Sequence, residues 1–269
     1  MCGADLLGEP PVANENQTEA PLISVVVPVK NEEGNVAPLI AEIAAALDSP
    51  VAVEAGMTYE MIFVDDGSTD TTGTILSNLR GTYPTLRQLR HAASGGQSAA
   101  IRSGVRAARG TYITTLDGDG QNNPAFIPAM ISILKTDPTI GIVQGQRVGR
   151  KDTAFKRWQS RQANRIRGAI LKDGTRDTGC GLKAFPREAY LKLPYFDAIH
   201  RFMPALVKRE GYTIAHLDVI DRPRHTGVSN YGFWGRLKVG VLDLAGVWWL
   251  LKRKKPTPAV QEITGTEIV

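Results

Sequence analysis

Cysteine is nearly absent: Cys2 and Cys180 are the only two in 269 residues. That excludes a disulfide framework and makes a reducing, cytosolic compartment the default expectation. Cys2 follows the first Met with no apolar segment before it, so it does not read as a lipoprotein or secretion signal. Long apolar runs are missing too. The best stretch, Val239 to Leu251, is interrupted by Asp243 and falls short of the roughly 18–20 apolar residues a spanning helix needs. Such a segment can lie on a membrane rather than cross it. Neither a G-x-G-x-x-G turn nor a P-loop appears after the first apolar run, where the chain reads PVKNEEGN. There is no internal repeat. Acid is scarce from Arg147 to Lys172, where Asp152 stands alone among nine Lys and Arg.

What is present is an ordinary globular composition, 42% hydrophobic and 22% charged, with 27 glycines and a formal net charge of +5. A chain of this length buries one substantial core. The glycine count suits an α/β fold with many tight strand-to-helix turns. The basic run 147–172 and the later cluster Lys252-Arg253-Lys254-Lys255 call for an anionic partner: phosphate, lipid headgroup or nucleic acid. No recognised nucleic-acid motif accompanies them, so nucleic acid is not expected as a partner.

The polar, acidic residues 1–20 read as a loose leader. Leu22–Val29 (LISVVVPV) is a β-branched run of the kind buried in parallel sheets. Further strands are expected at 61–64, 86–90, 112–116, 140–143 and 213–219. Helices are expected between them at 35–47, 71–80 (capped by Ser68 or Asp70), 96–109 and 124–135. After residue 145 the alternation gives way to a basic helix at 153–171, a Gly-rich loop into a strand at 177–185, a helix at 199–210, an Arg/Gly/Pro loop at 221–232 and an apolar helix at 233–251. Residues 252–269 are a polar tail. The βα alternation predicts a mostly parallel sheet flanked by helices, in which ligands bind beyond the carboxyl ends of the strands.

The acidic motifs fall at those ends. In Asp117-Gly118-Asp119-Gly120-Gln121, an extended backbone points positions 117, 119 and 121 the same way. Two carboxylates and an amide oxygen suit a hard divalent cation, Mg²⁺ or Mn²⁺. An EF-hand loop is excluded, because its sixth position is Asn122 rather than Gly and its twelfth is Pro128 rather than Glu. In Val64-Asp65-Asp66-Gly67-Ser68, a strand-end carboxylate can hold a nucleobase or ribose; the alternative is a turn with a helix cap. Pro28 to Glu33 can wall the same pocket.

In this order, VVVPVKNEEGN, IFVDDGSTD and LDGDGQNNP resemble the family-2 glycosyltransferases of GT-A fold. RDTGCGLKAFPRE, HRFMPALVKREGY and DRPRHTGVSNYG look like the branch of dolichol-phosphate mannosyltransferases and bacterial undecaprenyl-phosphate sugar transferases. The resemblance extends to about residue 250. It implies a GT-A (Rossmann-like) domain over 21–232 and metal ligation by Asp117, Asp119 and Gln121; the C-terminal amphipathic, interfacial helix over 233–251 is expected from its own residues, where relatives often carry transmembrane helices. It further implies base binding by Asp65 or Asp66, with Pro28 and Glu32 beside them, and diphosphate binding by Arg147 of Gly145-Gln146-Arg147. Arg222 and Arg224 match the acceptor loop. That loop continues Gly227-Val228-Ser229-Asn230 where the branch carries G-x-S-K.

The implied reaction is inverting transfer of a sugar from a GDP- or UDP-sugar to a polyprenyl phosphate. Such an acceptor is already an anion and needs no general base, whereas a sugar hydroxyl does. Asp117, Asp119, Arg147, Arg222 and Arg224 are the expected catalytic set, and Arg161, Arg222, Arg224 and Ser229 the expected acceptor-phosphate set. Trp248-Trp249 followed by Lys-Arg-Lys-Lys reads as contact with anionic lipid, placing the protein on the cytoplasmic face of a membrane, with a membrane partner or a second copy as a further possibility. The rival readings are a family member with a glycan or protein acceptor, for which Asp177 is the candidate base, a binding-only relative, and a sugar nucleotidyltransferase, which PVKNEEGN argues against.

Overall fold

The computed structural model describes residues 20–148, 165, 167–222 and 233–254. Among them, seven strands form one sheet: β1 (Ile23–Val29), β2 (Tyr59–Asp65), β3 (Leu86–Arg90), β4 (Tyr112–Thr115), β5 (Ile140–Val148), β6 (Lys183–Pro186) and β7 (Thr213–Ile220). Their spatial order is β3-β2-β1-β4-β6-β5-β7. β1 pairs in parallel with β2 and β4, β2 with β3, and β5 with β7. Only β6 runs against its neighbours, β4 and β5. The six co-directional strands therefore end on one edge of the sheet, and β6 begins there.

The helices are α1 (Val36–Leu47), α2 (Pro50–Glu54), α3 (Thr72–Leu79), α4 (Gln97–Ala107), α5 (Ile127–Thr136), α6 (Arg187–Leu191), α7 (Met203–Arg209) and α8 (Phe233–Lys252). Short 3₁₀ turns at Pro124–Phe126 and Ile199–Arg201 lead into α5 and towards α7.

Period-two alternation distributes the strand side chains to two cores. Val25, Val27 and Val29 of β1, with Met61 and Phe63 of β2, meet α1 and α5 on one face. Val26, Ile62 and Val64 meet Ala100, Ile101 and Val105 of α4 on the other. Being buried on both faces is why LISVVVPV and MIFV are unbroken apolar runs. Each fully buried Ile, Leu or Phe contributes about 1.5–3 kcal/mol of transfer free energy, and Phe63 and Phe185 are wholly buried. Gly104 lets α4 approach β1, since a Cβ there would run into the Val26 side chain.

The boundaries differ from expectation in informative ways. β5 runs on to Val148, because β7 continues pairing with it as far as Val148↔Ile220. Arg147 thus sits on a strand end rather than in a loop. Neither Ser68 nor Asp70 is the residue before α3; Thr71 is, while Asp70 accepts from the Thr72 N–H at 3.0 Å. Of the basic helix expected at 153–171, residues 165 and 167–171 are described, and they are helical.

Candidate active site

The loops after β1, β2 and β4, the segment before β6 and the carboxyl ends of β5 and β7 meet at one edge of the sheet. The first two are laced together. Asn31, held at φ 55°, accepts from the Thr69 N–H at 2.9 Å, and its own N–H donates to Ser68 Oγ at 3.0 Å. The Glu32 N–H donates to Thr72 Oγ1 at 2.9 Å, and Asn35 Nδ2 donates to the Glu32 carboxylate at 2.6 Å. Pro28 is half-buried in β1 opposite Val64.

Asp65 and Asp66 point to opposite faces and do different work. The Asp66 carboxylate accepts from His91 Nδ1 (2.7 Å), Ser94 Oγ (2.6 Å) and the N–H groups of Gly95 (2.8 Å) and Gly96 (2.9 Å). Burial works against its ionisation, but these bonds outweigh it and hold its carboxyl below the usual range. Asp66 therefore pins the 91–96 loop. Asp65 is wholly buried; its Oδ1 accepts from the Ser68 N–H at 2.7 Å, Arg90 Nε stands 3.6 Å away, and its Oδ2 has no hydrogen bond among the described residues.

After β4 the chain does not stay extended. It turns at 118–119, and Gly120 adopts φ 73°. The alternation argument for residues 117, 119 and 121 therefore does not describe this loop, and what gathers the acids is a turn. Within it the Asp117 N–H donates to Asn122 Oδ1 (2.9 Å), and the Gln121 N–H donates to Asp119 Oδ1 (3.1 Å). Gly118 packs on Pro28 and Val29 of β1. The Asp117 carboxylate lies so close to the Gly181 backbone that a Cβ at 181 would collide with it. Gln97, at the start of α4, donates to Asp117 Oδ1 at 2.8 Å. Burial, and then the charge of Asp119, push the Asp117 carboxyl up to about 6, with Lys183 and Arg147 pulling the other way.

Arg147 faces this loop from β5. Its Nε and Nη2 donate to the two Asp177 oxygens at 2.6 and 3.0 Å, and its Nη1 stands 3.5 Å from Asp221. Burial disfavours its charge, but Asp177 first, then Cys180 and Asp221, raise its pKa above the ordinary guanidinium value. Asp221 also accepts from Asn122 Nδ2 at 3.3 Å, and burial raises its pKa against the pull of Arg147. Lys183, 3% exposed at the start of β6, donates to the Cys180 carbonyl.

Gln97, Asp221, Gly181 and Lys183 escaped the sequence reading. The last two lie in DTGCGLK, whose glycines at 179 and 181 were the available signal: they bring the backbone against Arg147 and Asp117.

Arg222 begins the expected acceptor loop. Its N–H donates to the Gln121 carbonyl at 2.9 Å, tying that loop to the acidic turn. Its guanidinium pairs with Glu42 of α1 and donates to Asn123 Oδ1 at 2.7 Å. Arg161, Arg224 and Ser229 lie outside the described residues.

Four carboxylates (Asp117, Asp119, Asp177, Asp221) thus stand with two cations, Arg147 and Lys183, which leaves the cluster negative. Among the described residues no three His, Cys, Asp or Glu side chains converge as a complete metal cage. A pair of carboxylates, with further positions left to substrate phosphate and water, is how Mg²⁺-type sites are built, so the donor set fits such an ion.

The glycosyl transferase family 2 model matches residues 24–193, which carry all of these loops but the last. The chain belongs to glycosyl transferase family 2. This family-2 enzyme is 36% identical over 239 residues to a dodecaprenyl-phosphate galacturonate synthase of Rhizobium johnstonii, covering 86% of this chain and 68% of that protein. It is 31% identical over 212 residues to an undecaprenyl-phosphate 4-deoxy-4-formamido-L-arabinose transferase of Shewanella sediminis, covering 78% of this chain and 62% of that one. The chain thus spans about two thirds of the length of these relatives. Among solved structures, a mannosyltransferase from Pyrobaculum calidifontis in complex with GDP-Man and Mn²⁺ superposes with a TM-score of 0.63 at 22% identity, covering 90% of this chain and 67% of that chain. A glucosyl-3-phosphoglycerate synthase from Mycobacterium tuberculosis gives 0.61 at 20% identity, covering 86% and 80%. These two likenesses establish the GT-A fold.

Proposed function

We propose that this family-2 glycosyltransferase moves a sugar from a nucleoside diphosphate onto a polyprenyl phosphate, with inversion at the sugar C1, assisted by Mg²⁺ or Mn²⁺ at Asp117 and Asp119. The observation that carries the proposal is the negative carboxylate cluster at the sheet edge of a chain 36% identical to a prenyl-phosphate sugar synthase. The solved neighbours bound to Mn²⁺ and a nucleotide support the metal and the donor class.

A divalent cation there supplies charge neutralisation for the departing diphosphate. The protein's own residues do the rest. Asp117 and Asp119 hold the cation, and Gln121 is placed beside them by the turn. The 28–33 and 65–68 loops receive the nucleoside, with Pro28 and Glu32 on its side, while the buried Asp65 holds the turn through the Ser68 N–H. Asp66 acts at one remove, fixing the 91–96 loop that leads into Gln97 at the start of α4. Arg147 lends positive charge to the diphosphate while Asp177 and Asp221 aim its guanidinium. Arg222 opens the acceptor side, for which Arg224, Arg161 and Ser229 are the further candidates from the sequence.

A lipid phosphate attacks C1 as a preformed anion, so no base is required. For a hydroxyl acceptor the candidate base is Asp177, but both of its oxygens are engaged by Arg147. The geometry therefore favours the phosphate acceptor.

The acceptor's lipid character agrees with α8. Its Val247 is buried in the second core, with Leu244, Leu250 and Leu251 against it. On the opposite side Val241, Leu242, Trp248 and Trp249 are exposed, next to the exposed Lys252 and Arg253. No helix of the described residues is long and apolar enough to cross a membrane. An aromatic and basic outer face instead suits the surface of an anionic, cytoplasmic leaflet.

The test is a transfer assay with a polyprenyl phosphate, Mg²⁺ or Mn²⁺ and labelled UDP- and GDP-sugars, counting label in the lipid phase. The expected outcome is metal-dependent transfer from one donor, reduced at least about a hundredfold in Asp119→Ala. Donor binding without lipid label would move the search to glycan or protein acceptors.

A further inference from the structure

Lys183 is a charged residue in a place that the fold alone would fill with an apolar one. It opens the antiparallel strand β6 at the centre of the sheet, opposite Thr115 of β4 and Gln144 of β5. It is 3% exposed, and its ammonium donates to a carbonyl, that of Cys180. Burying an ammonium carries a large desolvation cost that one neutral acceptor does not recover. Its other neighbours indicate what the charge is for. Burial lowers its pKa, while Cys180, Asp117 and Asp177 favour its ammonium form and Arg147 opposes it, and Lys183 in turn favours the carboxylate form of Asp117. Lys183 thus sets its amine near the acidic turn, with its Nζ held by the same 177–182 segment whose Gly181 backbone abuts Asp117.

A fixed positive charge in that position acts in opposite senses on the two ligands. It repels a divalent cation approaching Asp117 and Asp119, and it attracts a diphosphate. We infer that Lys183 is a positioning residue whose buried charge keeps the carboxylate pair from binding a divalent cation tightly by itself and strengthens its hold on the nucleoside diphosphate, so that cation and nucleotide enter together. This rests on the metal and nucleotide reading above.

The test measures two affinities separately, Mn²⁺ alone and metal-free UDP or GDP, in wild type, Lys183→Met, Lys183→Gln and Lys183→Arg. Methionine fills similar space without charge, glutamine keeps a donor for the Cys180 carbonyl, and arginine keeps the charge. In the two neutral variants Mn²⁺ binding should tighten and nucleotide binding weaken, each on the order of tenfold. Lys183→Arg should return both towards wild type. A merely structural lysine gives a different pattern, because a damaged site loses both ligands. Both affinities weakening together, neither changing in a variant that melts like wild type, or both neutral variants failing to fold would each overturn the inference. If wild type binds neither Mn²⁺ nor a nucleoside diphosphate, the functional reading itself falls.

Discussion

Gly181 shows how much of the site rests on single positions. Its missing Cβ is the space in which the Asp117 carboxylate sits. Even alanine there forces the carboxylate or the 177–182 segment to move, and interiors packed at near-crystalline density transmit such shifts. Gly181→Ala is expected to weaken Mn²⁺ binding at least about tenfold, since ligand geometry tolerates only small displacements. Titrating Mn²⁺ alongside a melting curve separates loss of the site from loss of the fold. The arginines teach a related lesson. Arg147 and Arg222 are both neutralised in place, by Asp177 with Asp221 and by Glu42. Their positive charge is spent within the protein until an anionic substrate competes for it.

At the scale of elements, the edge of the sheet opposite the site is tied by one buried carboxylate. Glu60 of β2 accepts from Ser24 Oγ of β1 at 2.6 Å, from Arg87 of β3 at 2.5 Å and from the Arg109 N–H before β4 at 2.7 Å. Ser24 Oγ in turn accepts from the Gly110 N–H at 2.9 Å. Four strands are thereby registered at their starts. Burial raises the Glu60 pKa, but the bonds from Ser24, Arg109 and Arg87 outweigh it and leave the pKa lowered. Glu60→Gln should cost about 3 kcal/mol at pH 7, because it leaves partners of a buried charge unpaired. A carboxylate with a lowered folded pKa contributes its stability above its unfolded value, near 4.3, and loses it as pH falls through the folded one. The melting-temperature gap between wild type and variant is therefore expected to be full at pH 7 and to close at more acidic pH, as followed by circular dichroism.

At the scale of the whole molecule, α8 is apolar on two opposite sides, and among the described residues one of them packs on the rest of the fold. Residues 244, 247, 250 and 251 dock on the second core, where Arg209 Nε donates to the Leu250 carbonyl at 3.1 Å. Residues 241, 242, 248 and 249 form the other stripe, at helical spacing. If that stripe rests on lipid, Trp248→Ser with Trp249→Ser should lower binding to vesicles containing anionic lipid at least about tenfold and leave nucleotide affinity unchanged. Raising salt should weaken the remaining attraction through the exposed Lys252 and Arg253, each contributing about 1 kcal/mol near an anionic surface. Vesicle sedimentation reads both effects, and unaltered sedimentation of the double variant would remove the membrane from the account.

The sequence by itself determined the strands and the edge on which the chemistry gathers. Runs such as LISVVVPV and MIFV are apolar without interruption because a parallel sheet covered on both faces requires it, and their ends are marked by DDG and DGD. What only the tertiary structure decided is which neighbours each charge acquires. Asp65 and Asp66 are adjacent in sequence, yet one is sealed beneath α3 and the other is consumed by the 91–96 loop. Lys183 and Asp221 are far from the acidic turn in sequence and reach it only because β6 is inserted backwards between β4 and β5 and β7 ends beside β5. Local periodicity reports which face of a strand is buried. It carries no information on long-range contacts between charges, and those contacts set the electrostatics of this site.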